Sequence, residues 1–282
     1  MRNKLKVAAL AYICLLSTGL KVSAADINVD NFNTLQSEIQ NVSGGSILNI
    51  TLTDNIQSAS EIITQSGSEV TVNGGGNYSI TSDGLEHRGF DVVNGSTLTL
   101  RNTSVNNFSV NQTAGKNGAV YNEGTLNITA DNSANIVFSG NTTDIHNEGG
   151  TLNLYADKTS SITFNDKITG NNGVINITDA NLGNIVFNNT VADSLLTLNS
   201  GTLQIGKDTT LLASGDKYFD NVAMTLNGGT LDLQNGQIDT LDVTDMTINN
   251  SSELLLDINL SANQQVDKIT ANTVSADGTL WG

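Results

Sequence analysis

A single phrase recurs down this chain: a glycine, a β-branched or small residue, then alternating apolar and polar positions. It reads Gly95-Ser96-Thr97-Leu98-Thr99-Leu100, Gly124-Thr125-Leu126-Asn127-Ile128 and Gly150-Thr151-Leu152-Asn153-Leu154. It returns as Gly173-Val174-Ile175-Asn176-Ile177, Gly201-Thr202-Leu203-Gln204-Ile205 and Gly229-Thr230-Leu231-Asp232-Leu233. The central apolar residues Leu98, Leu126, Leu152, Ile175, Leu203 and Leu231 are separated by 28, 26, 23, 28 and 28 residues. A period of that size is the signature of a stacked architecture, in which each repeat buries its apolar face only against its neighbours.

Three copies align over a longer span. Thr125–Ala130 leads to Ile136-Val137-Phe138, Thr151–Ala156 to Ile162-Thr163-Phe164, and Val174–Thr178 to Ile185-Val186-Phe187. Each unit therefore holds two runs of period-two alternation separated by a polar turn, and we read two strands per coil. Equivalent residues share chemistry: leucine meets leucine, asparagine meets asparagine, and Phe138, Phe164 and Phe187 fall into one column. Hairpins would pair neighbouring runs antiparallel. Parallel, in-register stacking of each run on its equivalent one coil later uses the repeated chemistry better, because identical amides form hydrogen-bonded ladders. At about 4.8 Å per coil, ten or eleven coils predict a rod roughly 50 Å long.

Composition supports many short strands and tight turns. The chain contains 39 Asn, 33 Thr, 27 Gly and no proline. Asparagine and glycine tolerate positive φ, and threonine favours strands.

The N-terminus reads as a secretory signal peptide, residues 1–25. Arg2, Lys4 and Lys6 precede the apolar run Val7–Leu16, and Val22-Ser23-Ala24-Ala25 supplies small residues for cleavage after Ala24 or Ala25. Cys14, the only cysteine, lies in that apolar run, so the mature chain, 26–282, has no disulfide to stabilise it. It carries 8 basic and 28 acidic groups, a formal charge of −20. That balance argues against nucleic acid and against anionic lipid as partners, since both need a basic footprint.

The remaining end signals concern capping. Phe32, Leu35 and Ile39 recur at helical spacing, with Asn33 and Gln36 placed for a capping box. The spacing predicts a short amphipathic helix over residues 31–40 that shields the first coil from edge pairing. At the other end, Gly278-Thr279-Leu280-Trp281-Gly282 reads as the start of another repeat.

The phrase Gly118-Ala119-Val120-Tyr121-Asn122-Glu123-Gly124, followed by Phe138-Ser139-Gly140-Asn141, resembles the paired glycine-rich and FxxN motifs of polymorphic outer-membrane proteins. More broadly it resembles autotransporter passenger domains of the pectin-lyase-like type. Phe32–Asn55 and Glu69–Gly76 are similar to the opening coils of such passengers. Leu226–Leu233, Leu256–Leu260 and Asp267-Lys268-Ile269 are similar to their later repeats. The resemblance implies a right-handed parallel β-helix, exported through the inner membrane and displayed at, or released from, a Gram-negative surface. It also implies a C-terminal barrel. Residues 255–282 show no series of amphipathic barrel strands with aromatic girdles, so we read the chain as a single passenger-like domain that stops before its translocator.

Candidate chemistry is sparse. Polysaccharide lyases and hydrolases share the fold implied by the resemblance. The densest ionisable segment is Glu86-His87-Arg88-Gly89-Phe90-Asp91, with Asp91 and Arg101 expected to approach each other on neighbouring coils. We read it as a polar surface pair and not as a catalytic site. His146 aligns with Tyr121 in the repeat and reads as a stacked structural position, and no second histidine stands at a zinc-ligand spacing. Asp26, Asn28 and Asp30 begin like a calcium loop, but Asn31 and Ser37 replace the required glycine and glutamate. Asn227–Asp232 lacks the full calcium nonapeptide. We therefore assign no catalytic, cofactor-binding or metal residues and no cofactor. The sequence reads as a monomeric, non-enzymatic adhesin-like rod whose partner is a host-surface or cell-surface protein or glycan. A secreted polysaccharide-active enzyme is the alternative, and a remnant lacking its barrel is a third reading.

Overall fold

In the computed structural model, residues 22–110, 118–178, 183–192, 194–198, 202–205, 219–234, 236–260 and 265–277 are described. They form a parallel β-solenoid of about eight turns. Three parallel sheets of eleven, nine and seven strands form the faces of the stack; the seven-stranded one ends at Phe219–Asp220, and Thr240–Asp242 pairs separately with Lys268–Thr270. One coil shows the path: Thr125–Ala130 in the first sheet, Asn135–Ser139 in the second, Ile145–Glu148 in the third, then Thr151–Ala156 back in the first.

Each coil thus has three strands where the alternation predicts two. The third strand is hidden in the sequence because it is short and because its inward face is partly polar. In Val120–Asn122 and Ile145–Glu148, the inward positions are Val120 with Asn122 and Ile145 with Asn147, all fully buried. An asparagine pointing inward breaks the apolar pattern that marks a strand. The expected ten or eleven coils fall to about eight, and residues 22–45 are taken up by the N-terminal closure.

Register follows the repeat up to Ile175. Leu98, Leu126, Leu152 and Ile175 pair in sequence in the first sheet. The column then passes to Leu196, Met224 and Met246 rather than to Leu203 and Leu231. The last two copies of the phrase lie in the second sheet, where Leu203 pairs with Ile185 and Leu231. The phrase encodes an inward-facing strand after a corner, and more than one face of the coil can use it.

The core is made of like on like. Phe138, Phe164 and Phe187 pair in register, with ring centroids 5.1 and 5.5 Å apart. On the outer face of the first sheet, Asn127 donates to Thr99 (3.1 Å), Asn153 to Asn127 (2.8 Å) and Asn176 to Asn153 (2.9 Å). Inside, Asn122 Nδ2 donates to Asn147 Oδ1 at 2.7 Å and to the Thr151 carbonyl at 3.1 Å, and Asn147 Nδ2 donates to the Val174 carbonyl. Buried amides satisfied in this way hold the third-sheet corner in place.

That inner ladder explains the glycine of the repeated phrase. A Cβ on Gly150 would lie 2.6 Å from both Asn122 Nδ2 and the Asn122 carbonyl oxygen. Gly150→Ala should therefore destabilise the rod by about 1–3 kcal/mol, as overpacking does elsewhere. A urea midpoint unchanged from wild type would contradict this.

The N-terminal closure has two parts. The strand Val22–Val29 adds to the first sheet, with Asp26–Val29 pairing with Asn49–Leu52, so the strand runs across the expected cleavage position. The helix α1 (Phe32–Asn41) packs against Ile56–Ser58 and Ile62–Ile63, the first strands of the other two sheets, and buries Leu35 and Ile39. Its N-cap is Asn31, not Asn33. Asn31 has extended backbone and its side chain accepts from Thr34 N at 3.0 Å. Gln36 turns away from a capping box and donates to Ser60 Oγ and the Glu61 carbonyl. At the other end, the antiparallel pair Ile258–Asn259 and Gln265–Val266 leaves the parallel pattern. Ile258, Leu260, Val266 and Val274 are exposed there. The stub Gly278–Gly282 lies outside the described residues. Among those described, no helix is long and apolar enough to cross a membrane.

Candidate functional site

The third sheet carries the richest polar chemistry. Parallel register brings Ile63, Asp91, Tyr121, His146 and Thr169 into one outward column. Arg88, just before the strand Phe90–Val92, reaches over this column. Its guanidinium pairs with Glu61, lies 3.5 Å from Asp91 and sits 5.4 Å from the centre of the Tyr121 ring. Asp91 and Arg101 do not meet, contrary to the expectation from sequence. Arg101 reaches one coil onward to Asp131, donating from Nε at 2.9 Å and from a terminal nitrogen at 2.6 Å. The reason is direction: Arg101 ends a first-sheet strand, whereas Asp91 belongs to the third sheet.

His146 stacks on Tyr121, with centroids 5.3 Å apart and rings within 4° of parallel. This matches the alignment of the two positions. Its Nδ1 faces Thr169 Oγ1 at 2.8 Å, and its Nε2 donates to Glu148 at 3.0 Å. The Tyr121 hydroxyl donates to Glu123 at 3.4 Å. Burial, followed by the charges of Glu123 and Glu148, pushes the Tyr121 phenol up to about 12, so it stays a donor at neutral pH. Burial also raises Glu61 above the ordinary carboxylate range, against the lowering pull of Arg88. His87 lies between the Arg88 carbonyl (2.7 Å) and Asp83 (3.2 Å), its ring edge against Phe108.

The arrangement is a clamp. Both faces of the Tyr121 ring are occupied, by Arg88 on one side and His146 on the other, and Tyr121 is only 4% exposed. Glu61 and Asp91 converge on one guanidinium, which locks the carboxylates in place. A glycosidase pair instead flanks an open cleft that admits the sugar and a water.

A second polar knot is buried at the corner after Phe138. Asp144 is completely buried; its carboxylate accepts from Asn141 Nδ2 (2.7 Å) and from Asp166 N (3.0 Å). Asn141 in turn accepts from Phe108 N and donates its own backbone N–H to Asp166. Burial outweighs these donors and raises Asp144 to about 7.

The calcium-like segments take ordinary structural roles. Asp26 and Asn28 lie on the extended strand Val22–Val29, and Asp26 accepts from Asn49 at 2.8 Å. Asn227 to Asp232 spans the corner between two strands. Among the described residues, no group of three His, Cys, Asp or Glu side chains is placed to hold a metal ion.

No family model, no curated protein and no solved structure matches this chain. Function is therefore read from the sequence pattern and the geometry above.

Sequence reasoning missed Glu61, Glu148 and Asp144. Glu148 has a usable signal, because it follows His146 by two residues, as Glu123 follows Tyr121. Glu61 and Asp144 give no local signal: each acquires its role from a partner one coil away or across a corner.

Proposed function

We propose that this chain is an exported β-helical passenger of the autotransporter type, held at or beyond a cell surface. In this reading it makes adhesin-like contacts with a surface protein or glycan, acts as a monomer and catalyses no reaction. The observation that carries the reading is the joining of a signal-like leader directly to a solenoid that is rigid without disulfides. Such a rod suits an exported chain because its strength comes from stacked side chains and parallel ladders. Its mechanism is positional: the stack holds corner loops at fixed heights along the rod. The strongly acidic surface keeps a strand-rich exported chain soluble.

The test is export itself. Expressed in full in a Gram-negative host, the chain should be recovered outside the inner membrane with an N-terminus at Ala25 or Asp26. Recovery of uncleaved chain in the cytoplasm would contradict the reading. Product release from polygalacturonate or a related glycan would contradict its non-catalytic part.

A further inference from the structure

An asparagine followed by a glycine carries both partners of a ring-closing reaction. The glycine nitrogen attacks the side-chain carbonyl carbon of the asparagine, and the absence of a glycine side chain leaves that approach open. The pair occurs six times in this chain, and four copies lie wholly within the described residues: Asn73-Gly74, Asn94-Gly95, Asn172-Gly173 and Asn227-Gly228.

The stack holds three of these four. Gly74 N donates to the Arg101 carbonyl at 3.0 Å and to Thr103 Oγ1 at 2.7 Å, while Asn73 Oδ1 accepts from Gly75 N at 2.9 Å. Gly228 N donates to Ser252 Oγ at 2.9 Å, and Asn227 Oδ1 accepts from Asn250 Nδ2. Gly173 is buried at the start of the strand Gly173–Thr178, and Asn172 Nδ2 donates to Asn171 Oδ1 at 3.1 Å.

Asn94-Gly95 is placed differently. Both residues are exposed, at the centre of a turn closed by Ser96 N on the Val93 carbonyl at 3.0 Å. Among the described residues, neither the Asn94 side chain nor the Gly95 N–H has a hydrogen-bond partner. The turn is anchored through its carbonyls instead: Asn94 O accepts from Ser66 Oγ at 3.0 Å and Gly95 O from Gly67 N at 2.9 Å. Position 95 is also kept as glycine by the fold. Its φ is +79°, and a Cβ there would lie 3.0 Å from Ser66 Oγ.

We propose that Asn94 is a site at which the folded rod modifies itself, by deamidation through a succinimide. Gly95 N bonds to Asn94 Cγ, the Cγ–Nδ2 bond breaks, and the proton of Gly95 N leaves with the amide as ammonia. Water then opens the ring at either carbonyl and gives aspartate or isoaspartate. Nothing is oxidised or reduced, and water is the only co-reactant. The two reacting groups belong to each other, so their freedom from other partners is what the reaction requires. Isoaspartate puts an extra carbon into the main chain at the turn and turns the carbonyl that accepts from Ser66 into a carboxylate.

The test is peptide mapping by mass spectrometry of the purified mature chain, incubated folded in mildly alkaline buffer and, in parallel, unfolded in urea. In the folded chain Asn94 should deamidate about tenfold faster than Asn73, Asn172 or Asn227, the factor for one hydrogen bond that must first be released. In urea the four should react at similar rates. Isoaspartate should accompany aspartate at Asn94, because only the ring opens in two ways. A folded-chain rate at Asn94 no greater than at the other three, or aspartate alone as its product, would overturn the proposal. The same ranking in urea would trace the preference to neighbouring side chains and not to the fold, and would overturn it as well.

Discussion

Phe164→Ala lowers the unfolding free energy by about 3–5 kcal/mol, the largest loss expected from any single truncation in this rod. Phe164 is 1% exposed and is the middle ring of the column, touching Phe138 on one side and Phe187 on the other. Truncation removes its own burial, leaves a cavity the flanking coils cannot fill, and deletes two aromatic contacts at once. Position in the stack adds to the effect. Solenoid stability is close to a sum of coil and nearest-neighbour terms, so a defect in a central coil weakens two interfaces. Urea denaturation followed by far-UV circular dichroism should show a lower midpoint, with either one transition or a new early phase as the stack breaks at this coil. A midpoint within experimental error of wild type would show that the column does not bear this load.

The second large effect is a dependence on pH that runs opposite to common experience. Asp144 has an ordinary value of 3.8 and is raised by burial to about 7 in the folded rod. The folded state therefore holds a proton that the unfolded state has already released between these two values. Stability is highest below the unfolded value and is lost as pH rises through the folded one. Across that window the loss is about 4 kcal/mol, at roughly 1.4 kcal/mol for each unit of difference. Burial raises Glu61 and Asp267 as well, so their contributions have the same sign. Asp157 works the other way. The Ser160 hydroxyl, followed by backbone donors from Thr159 and Asn132, holds it at about 2, so its contribution is lost as pH falls toward that value. Two more carboxylates act in that direction. Burial pushes Asp131 up, but Asn102 and Arg101 together hold it low, and Asp83 is held low by Leu85 N. Stability should therefore peak near pH 4 and fall toward neutrality. Asp144→Asn should flatten most of the fall between pH 4 and 7. An unchanged slope in that variant would show that the buried carboxylate is not the titrating group.

The stacked architecture is legible because repetition is a global signal carried in plain sequence. Leu126 over Leu152 and Phe138 over Phe164 can be read from the spacing alone, and so can the equivalence of Tyr121 and His146. The third strand is not legible, because Asn122 and Asn147 turn inward and mimic turn residues, and only the ladder joining them reveals their role. The slide of the phrase from the first sheet to the second is hidden for a related reason. Thr202-Leu203 looks like Thr151-Leu152, yet the strands that hold them belong to different sheets. Local pattern marks an inward strand and cannot number the sheet. The Glu61–Arg88–Asp91 clamp is out of reach because it is a product of the coil-to-coil path. Arg101 shows the limit clearly. Its partner, Asp131, lies 30 residues away and follows from the register of the first sheet, whereas the expected stacking of neighbouring coils pointed to Asp91.

Distance along this molecule counts coils and not residues. Thr71, Thr99, Asn127, Asn153, Asn176, Thr197, Thr225 and Thr247 form one unbroken register column in the first sheet. Double electron–electron resonance between spin labels at Thr71 and Asn176, and then between Thr71 and Thr247, tests this directly. Four and seven steps of about 4.8 Å require backbone separations of roughly 19 and 34 Å, each with a narrow distribution. Broad distributions, or two separations that do not stand in the ratio of those steps, would contradict the stacked parallel solenoid.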